Sequence, residues 1–451
     1  MALDVVKVIE VFKVAPAPST SPTATISGDY LPLTFFDALW LRFPPIQFLF
    51  FNEIKDLSLS VFSDDILPKL KHALSLTLQY YPPLAGNLTW HPLTGKPAIR
   101  FATDDDGIHL TVAESAADFH SLSTDDIKEA KDMHSLLSSD FHVSQNQATV
   151  ISLQVTLFPG SGFSIGYTAH HAALDGKSAA MFIKSWANVC HVGSLPPELT
   201  PVLERSLIND PLDICTIFTD KWKKMPPEGT FHLMEMKPDP GLLRGTFRLS
   251  RQQIGQIKSK ISGHVSSFTA VCSYIWTCLV KAEEGDITNE NVFLIINMDC
   301  RARLEPPIPS NYIGNCVALR AAKTKVVSLE GGDGLVTAAA AIKEAVGSLP
   351  QGVVKGAENW LSEAASTFAG QKTYGIGGSP WFELFGADFG WGRPAKVEMV
   401  SIDKAGAFSL CDARDEEGGI EIGIVFNKHK IEAFKSIFHE RLQDIGNYLR
   451  F

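Results

Sequence analysis

Phe163-Ser-Ile-Gly-Tyr-Thr-Ala-His-His171 runs directly into Ala172-Ala-Leu-Asp-Gly176, and this stretch decides the fold. Alternation along an extended chain puts Phe163, Ile165, Tyr167, Ala169 and His171 on one face, so His171 ends an apolar row. His170 turns to the opposite face and has Leu174 four residues on, where His171 has Asp175. Gly176 suits a tight turn, and Ala179, Phe182, Ile183, Trp186 and Cys190 then recur at helical intervals, giving the order strand, turn, buried helix. A side chain on such a joint is held rigidly. An imidazole in an apolar, water-poor cleft has an unperturbed pKa of about 6.5 and is largely neutral at physiological pH, which suits proton abstraction from a hydroxyl. Two roles stay open for Asp175: orienting the imidazole, or holding the turn by pairing with a base elsewhere. The plain alternative is a core histidine followed by a helix-capping aspartate.

A second signal lies far downstream, in Asp388-Phe-Gly-Trp-Gly-Arg-Pro394. Together with His171-x-x-x-Asp175-Gly176 it resembles the BAHD family of plant acyl-CoA-dependent acyltransferases, which carry His-x-x-x-Asp near mid-chain and Asp-Phe-Gly-Trp-Gly near the C-terminus. The likeness extends through Leu31-Pro-Leu-Thr-Phe-Phe-Asp37, Tyr81-Pro-Pro-Leu-Ala-Gly86 and Asn297-Met-Asp-Cys-Arg301, and so spans essentially the whole chain. Asp-Phe-Gly alone would suggest a protein kinase. No Gly-x-Gly-x-x-Gly loop, Val-Ala-Ile-Lys strand or His-Arg-Asp loop precedes it, and that reading fails.

Composition sets further bounds. A chain of 451 residues, 45% apolar, exceeds what one core usually supports, so two domains are expected. A net charge of −10 argues against nucleic acid as the main partner, because phosphate binding needs basic patches; a locally basic pocket for CoA phosphates is still compatible. Cys190, Cys215, Cys272, Cys278, Cys300, Cys316 and Cys411 are odd in number, lie in or near apolar runs and include no Cys-x-x-Cys. They read as buried free thiols in a reducing compartment. No signal, retention or peroxisomal pattern is visible, so the cytosol is expected. Ile46-Gln-Phe-Leu-Phe-Phe51 is apolar but far short of the ~20 residues that span a bilayer. Asn87-Leu-Thr89 matches a glycosylation sequon and reads as chance in an unsecreted chain.

Along the chain, Ser63 is placed as the N-cap of a helix with Ile66, Leu67, Leu70, Leu74 and Leu78 as its apolar stripe, ended by Tyr81-Pro82-Pro83. Strands are expected at 97–102, 108–113, 149–158 and 163–171, and a helix at 176–190. Ala15-Pro-Ala-Pro-Ser-Thr-Ser-Pro-Thr23 reads as a flexible connection. Residues 193–240, rich in proline, read as a crossover connection between an N-terminal domain, 1–192, and a C-terminal domain, 241–451. The second half offers strands at 245–249, 291–298, 317–320, 397–402 and 420–426, and helices at 251–261, 266–281, 337–346, 354–368 and 431–449. Periodicity by itself shows mixed α and β. The resemblance implies two chloramphenicol-acetyltransferase-like α/β domains with a tunnel between them.

The resemblance also implies the chemistry. His171 takes the acceptor proton, the freed oxygen attacks the acyl thioester, and CoA leaves as the proton returns. No metal is expected, as neither His-Glu-x-x-His nor a cysteine–histidine ligand cluster is present, and no acyl-enzyme, as there is no Gly-x-Ser-x-Gly elbow. Arg301 is the implied partner of Asp175, and with Gly176 the pair would support the histidine turn. Asp388, Gly390, Trp391 and Gly392 read as chiefly architectural, with a direct catalytic role for Asp388 as the lesser reading. CoA is assigned to Lys258, Lys260, Ser266 and Ser267, and to Ser379 after Gly377-Gly378. The acceptor pocket is assigned to Phe35, Asp37, Tyr312 and Asn315, because Tyr312-Ile-Gly-Asn-Cys316 resembles the Tyr-Phe-Gly-Asn-Cys of the branch acting on anthocyanins and other flavonoid glycosides. Ile313 departs from that pattern. The expected activity is malonyl transfer from malonyl-CoA to a sugar hydroxyl of a flavonoid, anthocyanin or other phenolic glucoside, by a monomer. Hydroxycinnamoyl transfer from coumaroyl-CoA is the runner-up, and a non-catalytic binding protein on the same fold is the rival from another class.

Overall fold

The computed structural model describes residues 6–18, 29–101, 106–229, 231–234, 241–261, 263–283, 285–347, 352, 354–404 and 406–447. Residues 19–23 of the Ala15–Thr23 stretch, and the chain ends before 6 and after 447, lie outside the described residues. The part of that stretch that is described is held down: Ser75 Oγ donates to the Ala15 carbonyl at 2.8 Å, and Gln79 donates to the Ala17 and Pro18 carbonyls.

Three sheets carry the fold. The first has six strands in the spatial order Val6–Val14, Ile108–Ser115, Ile151–Phe158, Gly162–Ala169, Ile46–Glu53 and Lys396–Met399. Gly162–Ala169 lies between two antiparallel partners, with Ala169 opposite Ile151 on one side and Ile46 on the other. Every residue of this strand is buried, so His171 emerges from a fully enclosed strand of the sheet. The second sheet has seven strands, ordered Val317–Lys325, Asn291–Asp299, Lys372–Gly378, Ala407–Asp412, Ile420–Phe426, Leu243–Leu249 and Lys128–Glu129. A small sheet of four, Tyr30–Pro32, Pro97–Arg100, Asn87–Trp90 and Gln147–Thr149, flanks the first.

The two large sheets exchange strands. Lys396–Met399 pairs with Ile46–Glu53 of the first half, and Lys128–Glu129 pairs with Leu243–Leu249 of the second. The seam between them is charged. Arg244, 2% exposed, donates to Asp403 at 3.0 Å, to Glu398 at 3.0 Å and to the Met399 carbonyl. Lys396, equally buried, bridges Asp125 at 2.7 Å and Glu421 at 2.9 Å. A cavity of about 20 Å³ beside Lys396, Glu398, Ser409, Cys411 and Glu421 has room for a water and none for a substrate.

The second sheet divides by face. Val292, Leu294, Ile296, Tyr374 and Ile376 join a core with the helices Ser267–Ala282, Gly334–Gly347 and Lys428–Asn447. Alternation therefore turns Ile295, Asn297, Asp299, Gly375 and Gly377 to the other face, toward the first half. Asn291–Asp299 and Lys372–Gly378 pair only from Val292–Lys372 to Ile295–Gly375. Asn297, just past the last pair, is solvent-exposed although its strand is interior to the sheet. The backbone ladder ends at this point, and the Asn297 side chain spans the parting strands, its Nδ2 donating to the Ile376 carbonyl at 3.4 Å.

Several expectations are corrected. The first long helix begins earlier: Ser58, not Ser63, is the N-cap, accepting from the Val61 amide at 3.2 Å, and Phe62–Ile66 forms a π-turn before the α-helix Leu67–Leu78. The span 354–368 is helical only from Trp360 to Phe368, after a 3-10 turn at Ala357–Asn359. The strand expected at 397–402 stops at Met399 and becomes a 3-10 turn. Residues 193–240 contain the helix Ile214–Lys224. Lys372–Gly378 and Ala407–Asp412 were not expected as strands; the first carries three glycines, so propensity speaks against it and only its place between two partners makes it a strand. Among the described residues no helix is long and apolar enough to cross a membrane.

Replacing one partner of a buried charge cluster strands the others. Arg244→Met should lower unfolding stability by roughly 3–5 kcal/mol in urea titrations. A loss under 1 kcal/mol would show that water reaches Glu398 and Asp403 freely.

Candidate active site

Asp175 ends the turn after Ala169 and N-caps the helix Gly176–Val192, its Oδ1 accepting from the Ser178 amide at 2.8 Å. Its Oδ2 accepts from the Cys316 amide at 3.1 Å and meets Arg301 Nη2 at 2.9 Å. Both oxygens are thus engaged away from the His171 ring. Arg301, 1% exposed, also donates from Nε to the Tyr312 carbonyl, from Nη1 to Asp299 Oδ1, and from Nη2 to Ser178 Oγ and the Gly314 carbonyl. Burial alone would lower the Arg301 pKa, yet the Asp175 and Asp299 charges hold it above its ordinary value. Gly176 is closed over by Phe382: an added Cβ would come within 2.8 Å of its ring.

His171 is half-buried and its two nitrogens differ. Nδ1 is sealed from solvent and has no hydrogen-bond partner among the described residues. Nε2 accepts no hydrogen bond from the described residues and is not sealed, so in this half-buried residue it faces accessible space. Burial pushes the imidazole down to about 4, opposed by its own carbonyl, the Asp175 charge and Asn315. The ring lies flat on the indole of Trp40, with centroids 4.1 Å apart and planes 7° from parallel. His170 is completely buried; its Nδ1 accepts from the Ala172 amide at 3.2 Å, and burial pushes it down to about 3.

The four residues assigned to the acceptor pocket take another place. Phe35, Asp37, Tyr312 and Asn315 are each at most 1% exposed. Asp37 Oδ2 accepts from Thr34 N and Oγ1 in a capping box over the short helix Phe35–Ala38, and Oδ1 accepts from Asn315 N at 2.7 Å and Nδ2 at 3.1 Å. Asn315 Nδ2 also donates to the His171 carbonyl at 2.8 Å. Arg205 donates to the Ile313 carbonyl and stands 3.9 Å from Asp37. Asp37 and the Asn315 amide nitrogen are engaged inside the protein, whereas Tyr312 OH and Asn315 Oδ1 are sealed with no hydrogen-bond partner among the described residues; all four side chains lie behind the histidine and out of solvent.

Asp388 is not brought to His171. Its Oδ1 accepts from the Gly390 amide at 2.7 Å and the Gly392 amide at 2.9 Å, and its Oδ2 lies 3.9 Å from His191. Phe389 packs edge-on against Trp186, and Trp391 against Phe163. His191 is near the far end of the helix that Asp175 caps, roughly 20–25 Å from its start, which removes Asp388 from proton transfer. Gly390 and Gly392 hold φ of +102° and +96°, where a side chain is strained.

Lys258, Lys260, Ser266 and Ser267 flank one loop between the helices Arg251–Ser259 and Ser267–Ala282. Ser266 is the N-cap there, accepting from the Thr269 amide at 3.1 Å, and Ser267 is exposed. Ser379 lies apart from them, capping the 3-10 turn Pro380–Phe382 that reaches Gly176. Lys177, beside Gly176, pairs with Asp299 at 2.9 Å, and both side chains are more than a third exposed. Trp40 was missed by sequence reasoning; only its position three residues after Asp37 marked it. Among the described residues no group of three or more His, Cys, Asp or Glu side chains converges as a metal site.

A strand-end imidazole with one nitrogen sealed and the other open, a capping aspartate locked to an arginine, and a distant glycine-rich loop buttressing the same helix form one constellation. The Transferase family model matches residues 17–441. This chain belongs to that family, the BAHD acyltransferases. It is 36% identical to phenolic glucoside malonyltransferase 1 of Arabidopsis thaliana over 97% of this chain and 98% of that protein. It is 36% identical to malonyl-CoA:anthocyanidin 5-O-glucoside-6''-O-malonyltransferase of Arabidopsis thaliana over 96% and 97%. The crystal structure of vinorine synthase superposes with a TM-score of 0.72 at 18% identity, covering 96% of this chain and 98% of that one, which shows a shared fold.

The depressed imidazole gives a pH test. Protonation removes the Nε2 lone pair, so kcat/KM rises with pH through the His171 pKa and is flat above it. The acid limb of kcat/KM should centre near pH 4; a limb at 6.5 would show a solvated ring. Asp388→Ala should lower stability by about 1 kcal/mol in thermal melts while kcat per folded molecule stays within a few-fold of the parent. A fall of 100-fold or more would restore Asp388 to the chemistry.

Proposed function

We propose that the chain is an acyl-CoA-dependent O-acyltransferase moving a malonyl group from malonyl-CoA to a sugar hydroxyl of a phenolic, flavonoid or anthocyanin glucoside, with His171 as general base. The observation that carries this is the open Nε2 of His171 beside a sealed Nδ1. Nε2 takes the hydroxyl proton, and the oxygen forms its bond to the thioester carbonyl carbon. The tetrahedral oxyanion collapses, the C–S bond breaks, and the thiolate takes the proton from the imidazolium. No acyl-enzyme enters. Asp175 and Arg301 hold the turn, and the Asp388–Gly392 loop steadies the far end of the helix.

We read residues 1–192 and 241–451 as two domains joined by 193–240, with acceptor and donor meeting at their seam. The parting of Asn291–Asp299 from Lys372–Gly378 offers a way through the second sheet. CoA phosphates near Lys258, Lys260 and the Ser267–Ala282 N-terminus would then lie on the helix-covered face, and the thioester on the His171 face. Malonyl as donor rests on the two relatives named above and on Lys177, a half-exposed cation one residue past Gly176 whose partner Asp299 is equally accessible. The seven cysteines are free thiols, which supports a reducing compartment such as the cytosol. One chain holds every part of the site, which supports a working monomer.

His171→Ala should lose about 10²- to 10⁴-fold in kcat with CoA binding kept, whereas His170→Ala should chiefly cost stability. Thiol release from acyl-CoA in the presence of a glucoside separates an enzyme from a binding protein. With one flavonoid glucoside as acceptor, kcat/KM for malonyl-CoA should exceed that for coumaroyl-CoA, and Lys177→Met should lower the malonyl value by about 10-fold or more, the strength of one charged hydrogen bond. A clear coumaroyl preference would overturn the donor and leave the base in place.

A further inference from the structure

The indole of Trp40 is 5% exposed and lies on His171 at 4.1 Å, nearly parallel. Its Nε1 is sealed and has no hydrogen-bond partner among the described residues, which hold the ring by its faces and edges. Phe43 meets it edge-on at 4.9 Å, and Trp222 meets Phe43 edge-on at 5.9 Å. Trp222 Nε1 donates to the Ala38 carbonyl at 2.8 Å. The Arg42 guanidinium, 2% exposed, donates to the Met225, Pro226 and His232 carbonyls and fixes the same stretch to residues that follow the helix Ile214–Lys224. The stack Trp222, Phe43, Trp40, His171 is therefore anchored at its base. Asp37, on the same short segment, holds Asn315, which holds the His171 carbonyl. One segment thus controls the histidine twice, through its backbone and through its ring.

We propose that Trp40 is a positioning residue that covers one face of the His171 imidazole, fixes its rotation so that Nε2 faces the acceptor, excludes water from the ring and stabilises the imidazolium as it forms. This rests on His171 being the base. The ring is neutral before reaction and cationic once it has taken the hydroxyl proton. An aromatic face attracts that cation more strongly than it attracts the neutral ring, so the contact strengthens along the reaction. Water exclusion acts before reaction, by keeping the base unprotonated.

Trp40→Phe and Trp40→Leu separate an aromatic face from apolar bulk. The charged and titratable groups around His171 are His170, the residue before it, Asp175 with Arg301 at the helix cap, Lys177 with Asp299 beside it, and Asp37 behind Asn315; neither substitution alters any of them. W40L should lower kcat by about 2- to 30-fold with the KM for acyl-CoA nearly unchanged, and should move the acid limb of kcat/KM upward toward 6.5 as water reaches the ring. W40F should lose no more than about 3-fold and keep the limb in place. Equal losses in W40F and W40L, or a loss in W40L with an unmoved acid limb, would reduce Trp40 to packing and overturn the proposal. Should W40L fail to fold, Trp40→Met serves as the second apolar variant; failure of both to fold while W40F folds would do the same. H171A, assayed alongside, keeps the two readings apart: full activity in H171A sinks the base itself, whereas an inactive H171A with an unperturbed W40L sinks only the role of Trp40.

Discussion

The buried guanidinium of Arg301 is the contact on which the site depends. It leaves the end of a second-half strand and reaches the cap of a first-half helix, meeting Asp175, Asp299, Ser178 and the carbonyls of Tyr312 and Gly314. A planar fork with five donors can satisfy such a set, whereas an ammonium could not fill the same directions. The ion pair joins parts of the chain more than a hundred residues apart. Because Asp175 also caps its own helix, any movement between the halves is felt at the turn that carries His171.

A second support reaches the histidine from the opposite side. Asp37 is completely buried, and its four accepted hydrogen bonds come from Thr34 and Asn315. Buried carboxylates persist only when so satisfied. Arg205, from the 3-10 turn Arg205–Leu207, closes this layer behind the 311–316 loop. The polar residues near His171 therefore form a solid scaffold, and the open face of the site falls to Nε2, Lys177, Asp299 and Asn297.

The halves are interlocked by their exchanged strands and by the Arg244 and Lys396 clusters beneath. Such clusters add little net stability over a well-packed apolar seam, but they fix one register, because a slip of one residue would bury Glu398 or Lys396 without a partner. A fixed register keeps the gap between Asn291–Asp299 and Lys372–Gly378 at constant distance from the His171 turn. The helix Gly176–Val192 does the same lengthwise, capped by Asp175 at one end and braced by Phe389 on Trp186 toward the other.

The sequence by itself determined the strand–turn–helix that presents His171, since alternation and helical spacing are local properties of the chain. It also determined the inequality of the two histidines and, through the resemblance carried by His171-x-x-x-Asp175 and Asp388–Gly392, the family and fold. It did not show that Lys372–Gly378 is a strand, because three glycines in seven residues have no propensity to extend without neighbours on both sides. Tertiary structure alone decided which groups meet. Asp37 and Asn315 look like ligand contacts in a polar motif, but their partners lie 278 residues apart, and only packing reveals that each satisfies the other. Trp40 carries no local sign of its task, because a stacked ring leaves no pattern in a linear spacing. Asp388, the first residue of a family motif, sits a helix length from the His171 turn, a separation set by the 17 residues of Gly176–Val192 and by the loop docking at its far end.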